Sequence, residues 1–317
     1  FWHWPLNLRQ LGQWLIGYLW PWNAFHMAVT LFYWTVVLPD WAVMKTFGWG
    51  WGLTLLLANT VGVTLLYGGV ELFYFHRRKQ GTRFKFNHRF PSDNRSDVFW
   101  FKSQNLDNAA RTYLLSIPIW TLVEMVFLWA VANGHGFWVS PDTHFVWLAL
   151  LLLLTPAIHE VHFFCIHWVL HQGPLYKLIH SIHHNSINPS PYSSLSMHPV
   201  ESTLYFADVF WHFLIPSHPL VALFQLNSTA YGALNGHIGF ERLELTENVA
   251  LRTAAYAHTL HHKYFDVNYG GDGVVPMDKW FGFMHDGSKE SDERMKERFR
   301  RKKERQQTNK PTKGHQP

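Results

Sequence analysis

The chain has 317 residues, a formal net charge of +5 and only 15% charged residues, too few for an ordinary soluble surface and far too few for a disordered chain. Its one cysteine, Cys165, excludes a disulfide framework and a cysteine-based zinc or iron–sulfur site. Against this stand 22 histidines, 14 of them between His159 and His262, and a mean hydropathy of −0.10 in which histidines and a charged tail mask local apolar runs.

In chain order, four apolar stretches approach the ~20 residues that cross a bilayer as helix. They run over Trp22–Leu38, Trp51–Phe75, Tyr113–Ala132 and Phe145–His171. The fourth starts as Leu, Ala, Val and Trp and ends with His159, Glu160, His162, His167 and His171, so its polar end must leave the hydrocarbon or be buried in protein. Tryptophans at 2, 4, 20, 22, 49 and 51 read as interfacial belts. The connection His76–Arg111 carries nine Lys/Arg and the connection Asn133–Thr143 none, which places the basic loop in the cytoplasm. Four crossings then put the N-terminus and His171 on that side too.

Beyond His198 a further apolar region, Thr203–Leu214 and Leu220–Leu234, is broken at Ile215-Pro216-Ser217-His218-Pro219. Its first arm is short for a crossing, so the pattern predicts a re-entrant helical hairpin that returns His237 to the side holding His171 to His198. The tail from Lys289 has 11 Lys/Arg against five Asp/Glu and reads as a solvated helix, Lys289–Gln307, with a disordered end, Thr308–Pro317. Anionic lipid headgroups suit it better than nucleic acid. The expected fold is an all-α integral membrane protein: four transmembrane helices, the re-entrant hairpin and a cytoplasmic, histidine-rich di-metal cap. Three regions follow: 1–140, transmembrane with the basic loop; 141–288, catalytic; and 289–317, the basic tail.

Spacing turns the histidines into a site. His167 and His171 are four apart and share a helix face. His180, His183 and His184 form H-x-x-H-H, with both later histidines expected to face the way His180 does, and His258, His261 and His262 repeat the pattern. Imidazole suits Fe, Zn, Cu and Ni, and its unprotonated form is available at neutral pH. Eight such histidines, with His237 as a ninth and His198 as a tenth, exceed the about four ligands of one zinc and imply two metals. His162 is an alternative start to the first motif. Glu160, Glu201, Glu241 and Asp278 are expected to orient imidazole N–H groups rather than bind metal. His212 reads as interfacial, His218 as a turn residue, and His26 among those outside any cluster.

The run His167-Trp168-Val169-Leu170-His171, eight residues, then His180-Ser181-Ile182-His183-His184 resembles the fatty acid hydroxylase superfamily, especially its sterol desaturase and C-4 methyl sterol oxidase branch. Leu175-Tyr176-Lys177, His198-Pro199-Val200-Glu201, Asn235 to Glu241, His258 to His262, Asn268-Tyr269-Gly270 and Met277 to Gly282 resemble the same branch, over Glu160 to Gly282. Trp168 stands where the family commonly has Arg, and Glu160 where it commonly has Asp.

The resemblance implies an oxygen-dependent membrane enzyme with two Fe ions, for which Zn can substitute on expression. Such an enzyme hydroxylates or desaturates a membrane lipid (sterol, fatty acyl or related) with O2 and electrons from NAD(P)H through a separate carrier. The implied partners are a small acidic carrier, a b-type cytochrome or ferredoxin, and its reductase. The implied location is the endoplasmic reticulum of a eukaryote or the inner membrane of a bacterium, with the active site facing the cytoplasm. A di-zinc membrane lipid hydrolase and a non-catalytic metal- or haem-handling membrane protein are the alternatives.

Overall fold

The computed structural model describes residues 7–91, 95–271 and 273–308. Helices dominate: α1 (Leu8–Tyr18), α2 (Ala24–Phe32, continued by a wide turn Tyr33–Val37), α3 (Trp49–His76), α4 (Gln104–Ala132) and α5 (Pro141–Leu170). After a helical segment over 173–184 come α6 (Pro199–Phe206), α7 (Pro219–His237), α8 (Tyr256–Tyr264) and α9 (Lys289–Thr308). A two-stranded antiparallel hairpin, β1 (Arg242–Glu244) and β2 (Ala250–Arg252), lies between α7 and α8. The tail helix thus runs through Thr308; the expected disordered end beyond it, and Trp2 and Trp4, lie outside the described residues.

Three helices, α3, α4 and α5, are long and apolar enough to cross a membrane. They leave large apolar side chains such as Leu57, Leu65, Leu114, Leu122, Val146 and Leu154 exposed, as a hydrocarbon solvent requires. The expected first crossing is shorter. Trp20 leaves helical geometry and separates α1 from α2, so the straight helix from Ala24 to Val37 covers about 21 Å at 1.5 Å per residue. Within α5, Pro156 has no N–H for the Leu152 carbonyl, and the Tyr18 hydroxyl donates to the adjacent Leu153 carbonyl at 2.6 Å.

The two ends of the bundle differ. At one end the basic connection docks on β1–β2: Lys85 pairs with Phe240, and Lys79 Nζ donates to Leu245 O at 2.7 Å. At the other, the turn between α6 and α7 joins the α4–α5 connection, with Ser217 N donating to Phe137 O and Val139 N to Ser217 O. The chain after His198 therefore reaches the far end before α7 brings it back. α7 is the central helix, packed on α2 and α5 and buried from Val221 through Asn227. His212 is not interfacial: it is fully buried, bonded through Nδ1 to Ser217 Oγ and through Nε2 to Gln225 Oε1. Trp20 and Trp49 are exposed as belt residues should be, whereas Trp51 is buried and donates to Thr46 O.

A buried polar network ties four helices together. Asn59 (α3) accepts from Tyr33 at 2.6 Å and donates to Thr121 and Glu124 (α4), while the Tyr33 hydroxyl also meets that of Tyr231 (α7) at 3.1 Å. Gly62 is required nearby, since a Cβ there would collide with the Tyr231 hydroxyl. Replacing Asn59 with Leu should strand Glu124 without its partner, leave Tyr33 only the Tyr231 hydroxyl, and cost roughly 1–3 kcal/mol for the orphaned carboxyl. A lowered thermal midpoint in detergent checks this; an unchanged midpoint would show that the network contributes nothing.

Candidate metal centre

Four helical elements each bring a ligand-bearing edge to one point. α5 ends in His167, with His171 as its C-cap. Gly173, at φ +46°, lets the chain turn directly into the segment 173–184, which carries His180, His183 and His184. His237 is the last residue of α7, and α8 carries His258, His261 and His262. These nine side chains form two groups whose ring nitrogens lie within 4.8 Å of one another: His167, His171, His180, His184 and His261 in one, His183, His237, His258 and His262 in the other. Eight of the nine are buried.

Each H-x-x-H-H motif is divided between the groups. His180 and His184 join the first while His183 joins the second; His258 and His262 join the second while His261 joins the first. The expectation of one shared face per motif is corrected here. Adjacent residues on a helix point about 100° apart, so neighbouring histidines address two different centres.

The outward nitrogens fix the inward ones. His167 Nδ1 donates to Tyr269 O at 2.6 Å, His261 Nδ1 to Val267 O at 2.6 Å, His237 Nδ1 to Ala233 O at 2.9 Å, and His180 Nδ1 to Glu201 Oε1 at 2.7 Å. Carbonyl and carboxylate oxygens only accept, so these Nδ1 atoms hold the proton and Nε2 presents a lone pair. Yet Nε2 atoms face one another: His167 and His180 at 3.0 Å, His261 and His184 at 3.0 Å, His237 and His183 at 3.2 Å. His167 and His180 both hold the proton on Nδ1, so their two inward lone pairs repel at this distance unless a cation lies between them. Nitrogens about 2.1 Å from a shared ion would be separated this way at angles of roughly 90–100°. Burial, reinforced by mutual repulsion, holds His180, His183, His184, His258, His261 and His262 well below the ordinary histidine range, in the neutral form that binds metal. The donor set therefore fits two divalent cations, and neither group contains a carboxylate or thiolate.

His198 stands outside both groups. It is half-buried, and its Nδ1 accepts from Val200 N as the N-cap of α6. His162 is likewise occupied elsewhere, with Leu204 O and Trp211 Nε1. Replacing His198 with Ala should leave metal content at the wild-type value while loosening the start of α6; loss of an ion, measured by elemental analysis, would restore it to the ligand set.

The four carboxylates have distinct places. Glu201, buried, holds His180 directly. Asp278 accepts from Tyr269 N and Gly270 N, both at 2.8 Å, and so fixes the loop whose Tyr269 carbonyl holds His167. Burial raises the Asp278 carboxyl to about 6. Glu160 accepts from Val275 N instead of an imidazole, and Glu241 is exposed and bonded through its backbone, its N–H donating to Phe84 O and its carbonyl accepting from Thr253. Spacing did not anticipate the carbonyls of Tyr269, Val267 and Ala233. Nor did it anticipate His159, whose Nδ1 meets buried Asp208 at 2.8 Å. An Asp inside the apolar run Thr203–Leu214 was the available signal for that pair.

A cavity of about 390 Å³ opens onto both groups through His167, His180, His183, His237 and His258. Phe163, Ile166, Leu170, Met197 and Tyr205 give it apolar walls.

Comparison with known proteins gives the following. The fatty acid hydroxylase family profile matches residues 150–283. Over 165 residues the chain is 32% identical to a Delta(7)-sterol 5(6)-desaturase of Aspergillus fumigatus, covering 49% of this chain and 44% of that protein. A Delta(7)-sterol 5(6)-desaturase of Gibberella zeae is 34% identical over 171 residues, with shares of 49% and 44%. One from Eremothecium gossypii is 25% identical over 248 residues, 74% of this chain and 62% of that protein. The chain spans about half the length of the curated relatives it matches. No solved structure matches.

Proposed function

We infer the function from this premise: the chain belongs to the fatty acid hydroxylase superfamily. The reading is an integral-membrane lipid oxidoreductase that hydroxylates or desaturates a membrane lipid with O2 at a histidine-ligated di-iron centre. The observation that carries it is the pair of imidazole groups opening onto one apolar cavity.

His167, His171, His180, His184 and His261 would hold one ion and His183, His237, His258 and His262 the other. Iron there would supply the redox equivalents that make O2 able to take hydrogen from an unactivated C–H bond. The chain's own residues do the rest. Glu201 and the carbonyls of Tyr269, Val267 and Ala233 keep the proton on Nδ1 and the Nε2 lone pair inward in His180, His167, His261 and His237. The apolar walls exclude water, which limits side reactions of the oxidant. The five-imidazole group also exceeds the roughly four ligands of a zinc site, which disfavours a di-zinc hydrolase.

The regional division at 140 and 288 and the finer topology belong to the same proposal. α2 supplies a fourth crossing, supported by Trp22 bonding Arg252 O at the histidine end and Trp34 packing on His218 at the far end. The segment from His198 to His237 re-enters the membrane alongside it. The basic connection faces the cytoplasm with the histidine groups, in the endoplasmic reticulum of a eukaryote or the inner membrane of a bacterium. There its charge, with that of α9, favours a small acidic carrier such as a b-type cytochrome or ferredoxin, which with its reductase relays electrons from NAD(P)H.

The test is oxygen uptake by the purified, iron-loaded protein with a reductase system and candidate lipids, with products followed by mass spectrometry. Uptake matched to an alcohol or alkene product supports the reading. Lipid cleavage without oxygen uptake overturns it in favour of hydrolysis.

A further inference from the structure

One end of the cavity holds a polar group that neither the metal sites nor the fold employs. His26, on α2, is 5% exposed, and neither ring nitrogen has a hydrogen-bond partner. Its ring borders the cavity and packs on α7 at Gly232, where a Cβ would come within 3.4 Å of Cε1. The Ser228 hydroxyl, one turn earlier on α7 and also lining the cavity, is buried without a partner. One turn later, Gly236 lies beside His258 of the four-histidine group. Ser228, Gly232 and Gly236 thus line a trough leading from an unsatisfied polar pair to the metal groups.

A neutral imidazole offers one donor and one acceptor, and a buried one without partners signals an absent ligand. The lining excludes several chemistries. Among the described residues it contains Glu160 and Glu201 and no lysine or arginine, so an anionic carboxylate or phosphate held at the His26 end, away from the metal groups, would be unpaired. A hydroxyl both donates and accepts, and carries no charge.

We propose that the cavity takes a neutral lipid with a free hydroxyl, and that His26, assisted by Ser228, is the specificity-determining residue that binds this hydroxyl. The inference rests on the lipid-oxidation reading and names the substrate class within it. His26 lies beside Gly232, one helical turn (about 5.4 Å) from Gly236 and His258. The hydroxyl-bearing end of the lipid therefore lies on the side of the cavity from which α7 leads to the four-histidine group.

The test measures binding to the full, metal-loaded chain in lipid nanodiscs with four probes: a Δ7-sterol, the same molecule with hydrogen in place of its hydroxyl, octadecanol and stearate. On at least one scaffold the alcohol should bind at least about tenfold more tightly than its deoxy or carboxylate counterpart. His26→Leu should remove that preference and His26→Gln, which keeps a donor and an acceptor, should restore part of it. Equal binding of the paired probes, no binding of either alcohol, or a preference intact in His26→Leu would overturn the proposal. Should His26→Leu not fold, Ser228→Ala must weaken the preference, and an undiminished one counts against it. Oxidation of the same probes is scored separately. Product without hydroxyl preference defeats this inference alone, and hydroxyl preference without oxygen-dependent product defeats the functional reading alone.

Discussion

Replacing His183 with alanine will abolish lipid oxidation, lowering the rate by more than about 100-fold. Removing only an outer partner of a metal-binding histidine costs about 10–100-fold in affinity or activity, and His183 itself belongs to the four-nitrogen group. Its Nε2 sits 3.2 Å from that of His237, and its ring packs on His262. Elemental analysis should show the variant falling short of the wild-type metal content. His184→Ala, one residue along but in the other group, should abolish oxidation equally, because groups that act as a unit are not additive. Full oxidation by His183→Ala would end the assignment.

The second large effect is expected at Glu201. Its Oε1 accepts the His180 Nδ1 proton at 2.7 Å in a site where Glu201 is 4% exposed. In Glu201→Ala the His180 ring loses the acceptor that fixes both its tautomer and its rotation. Metal affinity should drop by about 10–100-fold, read as faster loss of metal to a chelator. Glu201→Gln keeps an acceptor oxygen without the charge and should fall between the two. Wild-type retention in Glu201→Ala would mean the carboxylate only fills space.

Much of the centre was legible because spacing carries direction. Histidines one helical turn apart can share a site, and His167/His171 and the two H-x-x-H-H motifs show that spacing in the sequence alone. Of the ten histidines that the sequence singles out, nine converge and His198 does not. His198 was less legible because a histidine before a proline serves equally as a helix cap, and here it does so. The tethers were illegible for another reason: the Tyr269 and Val267 carbonyls are backbone groups placed by loop conformation, and every residue has one. Hydropathy found α3, α4 and α5, but it could not register the break at Trp20, where a run of suitable composition loses helical geometry. The turn between α6 and α7 was legible from its prolines, although its pairing with the α4–α5 connection through Ser217 is encoded by no periodicity.

The adjacent pairs His183/His184 and His261/His262 have a consequence for metal choice. Each pair sits on one rigid turn with its two rings committed to different groups. A rotation that draws one ring toward a smaller ion swings its neighbour away from the other. With an ion in each group, the two positions would share a single tolerance for ionic radius, and selection between metals would act on the pair of ions as a whole.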